Sequence, residues 1–178
     1  RTEFYGVIMQ IAKTILEVRN IIIAWRKQGL TIGLIPTMGN IHDGHLSLVT
    51  AAKPTVDRIV TTIFVNPMQF GKNEDFSTYP RTPEDDIQKF TQAEVDLLFM
   101  PDIQEIYPNG LKRQTRVEVP ELSSILCGAS REGHFSGVTT VVSKLLNIVL
   151  PDKAFFGEKD FQQLMLIKQM VKDLCMPF

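Results

Sequence analysis

The chain has 178 residues, enough for one domain or one and a fragment, and long enough to bury most of its apolar surface. Its 44% hydrophobic and 22% charged content is ordinary for a globular protein, and a net charge of −1 gives no basic field for nucleic acid, so any phosphate site must be local. Cys127 and Cys175 lack metal or redox spacing, which fits a reducing cytoplasm; Val138 to Leu150 is broken by Lys144, so no membrane partner is expected, and there is no secretory signal.

Arg1 to Ile8 precede the first methionine and carry no clear pattern; they are read as foreign to the native chain, with residues 9–178 as the domain. Met9 to Ala12 fits a short strand, and Thr14 to Gln28 a helix stopped by Gly29. Thr31 to Ile35 is an apolar strand, followed by the turn Pro36 to His45 and a helix over Leu46 to Lys53. Arg58 to Val65 is rich in β-branched residues and reads as a buried strand ending in the loop Asn66 to Gly71. Pro83 to Glu94 reads as a helix with Thr82 as N-cap and Asp85 at the third position, close to a capping box. Val95 to Met100 is a strand ended by Pro101, Ile106 to Thr115 a polar loop, and Arg116 to Val119 an extended segment. Gly137 to Val149 reads as a buried helix, Lys153 to Phe156 as a strand, Gly157 to Asp160 as a turn and Phe161 to Leu174 as the final helix. Alternating strands and helices predict an α/β fold, Rossmann-like and doubly wound, with a mainly parallel sheet and helices on both faces.

The polar motifs fall after strands, at the carboxyl edge where open α/β sheets bind ligands. In Pro36-Thr37-Met38-Gly39-Asn40-Ile41-His42-Asp43-Gly44-His45, Gly39 and Gly44 supply the small or positive-φ positions of a tight turn. The helix that follows offers unpaired N–H groups for phosphate, and His42 and His45, three apart, share a face if the turn runs into helix. The amide of Gln69 can donate and accept, as a ligand with hydroxyl and carboxylate groups requires. In Gly157-Glu158-Lys159-Asp160 the glycine permits close approach, Lys159 suits a phosphate, and Asp160 binds a ribose hydroxyl, caps the last helix, or both. Gln163 faces the same edge as Asp160. His134 reads as a structural hydrogen-bonding histidine, and Tyr79-Pro80-Arg81 as either a closing element or a surface loop. Asp86, with Asp85, is a candidate Mg²⁺ partner, although an acidic first helical turn is the commoner account.

The turn Met38 to His45 has the layout of the HxGH signature of the nucleotidylyltransferase superfamily. With Phe64 to Phe70, Tyr79 to Thr82, Gly133 to Phe135 and Phe156 to Gln163 in this order, the chain from about Met9 onward resembles the pantoate–β-alanine ligase (pantothenate synthetase) family. That resemblance implies ATP-dependent condensation of pantoate with β-alanine through pantoyl adenylate, with Mg²⁺ accompanying ATP, in a cytoplasmic homodimer. It implies that Met38, Gly39, Asn40, Ile41, His42, Asp43, Gly44 and His45 lie along ATP, with His45 as proton donor and His42 beside it on the phosphates. Gly157, Glu158, Lys159 and Asp160 would contact the adenosine side, with Lys159 also catalytic; Gln69 and Gln163 would clamp pantoate, Gln69 near the β-alanine site as well. Val141, Val142 and Phe70 would wall the gem-dimethyl group.

Two departures qualify the resemblance. Ser136 stands where the family usually has Arg, so one cationic contact is absent or is supplied by Arg131. The chain stops at Phe178, whereas family members continue into a second domain whose Ser/Arg-rich loop covers the phosphates; an N-terminal domain without its lid is expected. The alternatives are a nucleotide-binding domain without turnover, and an HxGH adenylyltransferase with a phosphate acceptor.

Overall fold

Consecutive strand residues point to opposite faces of a sheet, and here both faces are apolar, so the strands demand helices on each side. The computed structural model describes residues 8–71, 74–120 and 133–178. Its strands are β1 (Gln10–Ala12), β2 (Ile32–Ile35), β3 (Arg58–Thr62), β4 (Leu97–Phe99) and β5 (Lys153–Ala154), in the order β1-β4-β3-β2-β5 with every neighbouring pair parallel. The helices are α1 (Ile15–Lys27), α2 (Asp43–Ala52), α3 (Pro83–Gln92), α4 (Ile103–Ile106), α5 (His134–Val149) and α6 (Phe161–Asp173). Leu34, Val60, Leu97 and Phe99 face one core with Val18 and Ile22 of α1, Leu146 of α5 and Leu166 of α6. Their strand neighbours Ile35, Ile59 and Leu98 face the other, against Val49 and Ala52 of α2 and Phe90 of α3. This is the expected Rossmann-like, doubly wound α/β fold.

Element boundaries differ from expectation where a local residue has a tertiary job. Helix α2 begins at Asp43, not Leu46, because His42 serves as its N-cap. Helix α5 begins at His134, which puts Gly137 inside the first turn instead of at its start. Strand β3 stops at Thr62, and beyond it Ile63 to Val65 line a cavity, although Ile63 N–H still donates to Phe99 O of β4 at 2.9 Å. The polar loop expected from Ile106 is preceded by α4, capped by the Asp102 carboxylate accepting from Glu105 N at 2.8 Å, and contains a 3₁₀ turn over Leu111–Arg113. The segment before Pro120 stays outside the sheet and is tied to α5 through Val117, whose N–H donates to Thr140 Oγ1 at 3.0 Å. Thr82 occupies the N-cap position of α3 without a capping bond, so the expected capping box does not form. At the end of the chain, Asp160 precedes α6 but its side chain makes no capping bond either. Arg131 and Cys127 lie outside the described residues.

The sheet order explains why the polar motifs meet. Strands β3, β2 and β5 are adjacent and parallel, so the segments leaving their carboxyl ends emerge side by side.

Candidate active site

The turn after β2 is clamped from below. Thr37 N–H donates to Thr62 Oγ1 at 3.1 Å, and Thr37 Oγ1 donates to Thr62 O at 2.5 Å, which ties the turn to β3. Gly39 then takes φ 83° and Asn40 φ 53°, both left-handed. That reversal aims two successive N–H groups at one carboxylate: Asn40 N donates to Asp86 Oδ2 at 2.9 Å and Ile41 N to Asp86 Oδ1 at 2.7 Å. Thr82 Oγ1 adds a third donor at 3.2 Å. Asp86 is 1% exposed, so its charge is held by these charge-assisted bonds inside the fold. Among the described residues no group of three or more His, Cys, Asp or Glu could hold a metal ion, and Asp86 acts here as the anchor of the turn.

The two histidines cap α2 reciprocally. His42 Nδ1 accepts from Gly44 N at 3.1 Å, and His45 Nδ1 accepts from His42 N at 3.4 Å. A backbone N–H can only donate, so each Nδ1 must be the bare nitrogen; in the neutral rings the proton sits on Nε2. The ring centroids are 4.1 Å apart, so the motif presents a pair of Nε2–H donors at the positive end of a helix. Gly44 is required for this arrangement, since a Cβ there would lie 2.8 Å from His42 Cε1. Burial lowers the His45 pKa from its ordinary value, the neighbouring His42 lowers it further, and Asp86 opposes them.

The loop after β3 is seated on α5. A 3₁₀ turn spans Pro67–Gln69, with the Asn66 side chain accepting from Met68 N at 3.2 Å. The Asn66 Nδ2 group donates to Gly137 O at 3.0 Å and to Gln69 Oε1 at 3.1 Å. His134 Nδ1 lies 2.8 Å from Gln69 O, a carbonyl that can only accept, so Nδ1 carries the proton. The histidine thus has the structural role expected of it. Gly137 lets the loop come this close: a Cβ there would stand 2.4 Å from Met68 O.

These elements enclose a cavity of about 280 Å³ that brings together Met38, His42, His45, Gln69, Asp160 and Gln163, with Val141 and Val142 on its apolar side. A contiguous cavity of about 640 Å³ shares Met38, Gln69, Asp160 and Gln163 with it and adds Lys159 and Phe70. Tyr79 lines both, whereas the Arg81 guanidinium is spent on the carbonyls of Phe76, Ser77 and Tyr79. A third cavity, about 680 Å³, lies beyond Met38 and Gly39 and holds neither histidine nor either glutamine. Asn40, Ile41, Asp43, Gly44, Gly157 and Glu158 line none of the three; Asn40, Ile41 and Gly44 act through their backbone N–H groups in the turn and cap, Asp43 is the first residue of α2, and the last two are exposed. Sequence reasoning missed Phe64, Asn66 and Phe156 as lining residues, and Asp86 and Gly137 as supports. The glycine inside an apolar helical run was the one available signal, since such a glycine implies close backbone approach.

The pantoate-beta-alanine ligase family model matches residues 10–178. The pantothenate synthetase of Shewanella sp. (strain MR-7) is 58% identical over 161 residues, covering 90% of this chain and 57% of that protein. That of Cellvibrio japonicus is 56% identical over 169 residues, covering 95% and 60%. Among solved structures, the Thermus thermophilus pantothenate synthetase aligns with TM-score 0.86 and 44% identity over 95% of this chain and 59% of its own. The Francisella tularensis pantoate-beta-alanine ligase, complexed with beta-gamma ATP and beta-alanine, aligns with TM-score 0.89 and 46% identity over 95% and 64%. The chain therefore spans 57 to 60% of the length of these curated relatives. Matched across nearly its whole length by the family model, and sharing more than half its residues with those relatives, the chain belongs to the pantoate–β-alanine ligase family.

Proposed function

We propose that this domain binds Mg-ATP and pantoate and carries the adenylation site of a pantoate–β-alanine ligase. The pantoate carboxylate attacks the α-phosphate of ATP, pyrophosphate leaves, and the amine of β-alanine then displaces AMP from pantoyl adenylate to give pantothenate. The observation that carries this reading is the meeting of two imidazole donors, two amide side chains and a pair of valines in one cavity of about 280 Å³. A branched hydroxy acid needs that mixture, with apolar wall for its methyls and amides for its oxygens.

In this reading the Nε2–H groups of His42 and His45 stabilise charge that grows on the phosphates, and they are already oriented by the cap before ATP arrives. Lys159 supplies a mobile point charge and Asp160 an acceptor for a ribose hydroxyl. Asp86 is engaged by backbone donors, so Mg²⁺ comes as a partner of the ATP phosphates and no step is assigned to an ion held by this chain. Homodimeric assembly and cytoplasmic location belong to the same reading and rest on the family resemblance.

The test is pyrophosphate release from Mg-ATP by the protein carrying this domain. Release is expected only when pantoate is present. Adenylation of a phosphorylated acceptor such as phosphopantetheine, with pantoate inert, would overturn the reading.

A further inference from the structure

We propose that Tyr107, which lines none of the cavities around the two histidines, is a positioning residue that, together with Met68 N–H and the Gly137 carbonyl, holds the Asn66 amide and through it the polarity of Gln69, so that this site admits only a hydrogen-bond acceptor opposite the Gln69 amide. The ligand named in the test rests on the pantoate reading above; the geometry does not.

The orientation of the chain of amides follows from groups whose roles are fixed. Met68 N–H can only donate, so the Asn66 atom it meets at 3.2 Å is Oδ1. The Gly137 carbonyl can only accept, so the Asn66 atom at 3.0 Å from it is Nδ2. Tyr107 donates its hydroxyl to the same Asn66 Oδ1 at 2.7 Å, the shortest bond in the set. With Oδ1 pinned by two donors, Nδ2 is left to donate to Gln69 Oε1 at 3.1 Å. With the Gln69 Oε1 taken by Asn66, the group of the planar amide left for a ligand in the cavity that Gln69 lines is its Nε2–H. A carboxylate or hydroxyl oxygen is accepted there, and an ammonium is refused.

Tyr107 is suited to this role. It is 2% exposed, burial pushes its phenol up so that it remains a donor, and its ring packs 6.1 Å from Phe64 with Lys144 Nζ over its face at 4.9 Å. Tyr107→Phe therefore removes the hydroxyl and keeps the packing.

The first readout needs no ligand. Hydrogen exchange of the Asn66 side-chain amide, followed by NMR, should be slow in the wild type and about tenfold faster in Tyr107→Phe, the cost of one buried hydrogen bond. The second is a mutant cycle on pantoate affinity: Tyr107→Phe should weaken pantoate about tenfold when Gln69 is present and hardly at all in a Gln69→Ala background, with ATP affinity unchanged. A merely structural tyrosine would give equal losses in both backgrounds, and that result, or unchanged Asn66 exchange, overturns the proposal. Asn66→Asp gives an independent check, because a carboxylate opposite Gln69 Oε1 should turn the amide over and abolish pantoate binding while ATP still binds; retained pantoate affinity overturns the proposal. If wild-type protein binds no pantoate, the substrate reading fails, and the exchange measurement alone decides the role of Tyr107.

Discussion

Gly137→Ala should be the most informative single change outside the cavity. The added Cβ would stand 2.4 Å from Met68 O, 2.5 Å from Met68 C and 2.7 Å from Gln69 N, all backbone atoms that cannot swing aside like a side chain. Ordinary contact begins at 3.4 Å, so the loop carrying Gln69 must retreat by about 1 Å. Overpacking of this kind costs about 1–3 kcal/mol, and the Asn66–Gly137 hydrogen bond it strains is worth about 1 kcal/mol more. A loss of about 2–4 kcal/mol should lower Tm by about 5–15 °C in a protein of this size. The displacement also moves Gln69, and a 1 Å error in a positioning group can cost on the order of 10²-fold in rate. Differential scanning fluorimetry and pantoate-dependent pyrophosphate release measure the two effects. Gly157→Ala is the stability control, since a Cβ there meets nothing within 4 Å. If Gly137→Ala melts with the wild type and turns over normally, the close seating of the loop on α5 is wrong.

Other perturbations separate the remaining parts of the site. Asp86→Asn leaves Asn40 N–H and Ile41 N–H to share one acceptor, so a buried donor goes unpaired; about 1–3 kcal/mol of stability should be lost in a urea titration, together with ATP affinity. His45→Ala should remain folded and lose adenylation by about 10²–10³-fold, and near wild-type single-turnover rates would remove the histidine from the chemistry. The His45 pKa is lowered from 6.5 chiefly by burial, so the folded state favours the neutral ring. Its contribution to stability is full above 6.5 and is lost as pH falls from there through the lowered folded value; urea midpoints from pH 7.5 downward should show this slope in wild type and a shallower one in His45→Ala. Gln163→Leu should raise the pantoate requirement much more than the ATP requirement, and equal effects on both would place Gln163 elsewhere in the site.

Much of the fold is legible in the sequence because burial on both faces of a sheet leaves a mark. The β-branched run at Arg58 to Thr62 and the apolar run at Ile32 to Ile35 are strands for the reason their composition states. The errors cluster at glycines. Gly44 reads as part of a tight turn and Gly137 as the residue that opens a helix, yet both sit inside a first helical turn, where the missing Cβ makes room for the His42 ring and for the Met68 carbonyl. A propensity scale records the cost of glycine in a helix but not the close approach that offsets it. Strand ends read too long for a related reason: Ile63 to Val65 stay apolar past β3 because they line a cavity, and composition does not distinguish a strand from a cavity wall.

The site divides in the same way. His42, His45, Gln69 and Gln163 announce themselves because polar residues after buried strands have few structural excuses, and adjacency of β3, β2 and β5 brings their loops to one place. The groups that orient them carry no such mark. Asp86 looks like one more acidic residue in a helical first turn, but its partners are 46 and 45 residues earlier in the chain. Tyr107 reaches Asn66 across 41 residues, and Asn66 reaches Gly137 across 71. Such pairings are set by topology, which no local pattern encodes, and they decide which atom of each side chain meets the ligand. The motif histidines show the consequence most directly. Their identity is written in the sequence, but that both present Nε2–H follows only from two backbone donors occupying both Nδ1 atoms.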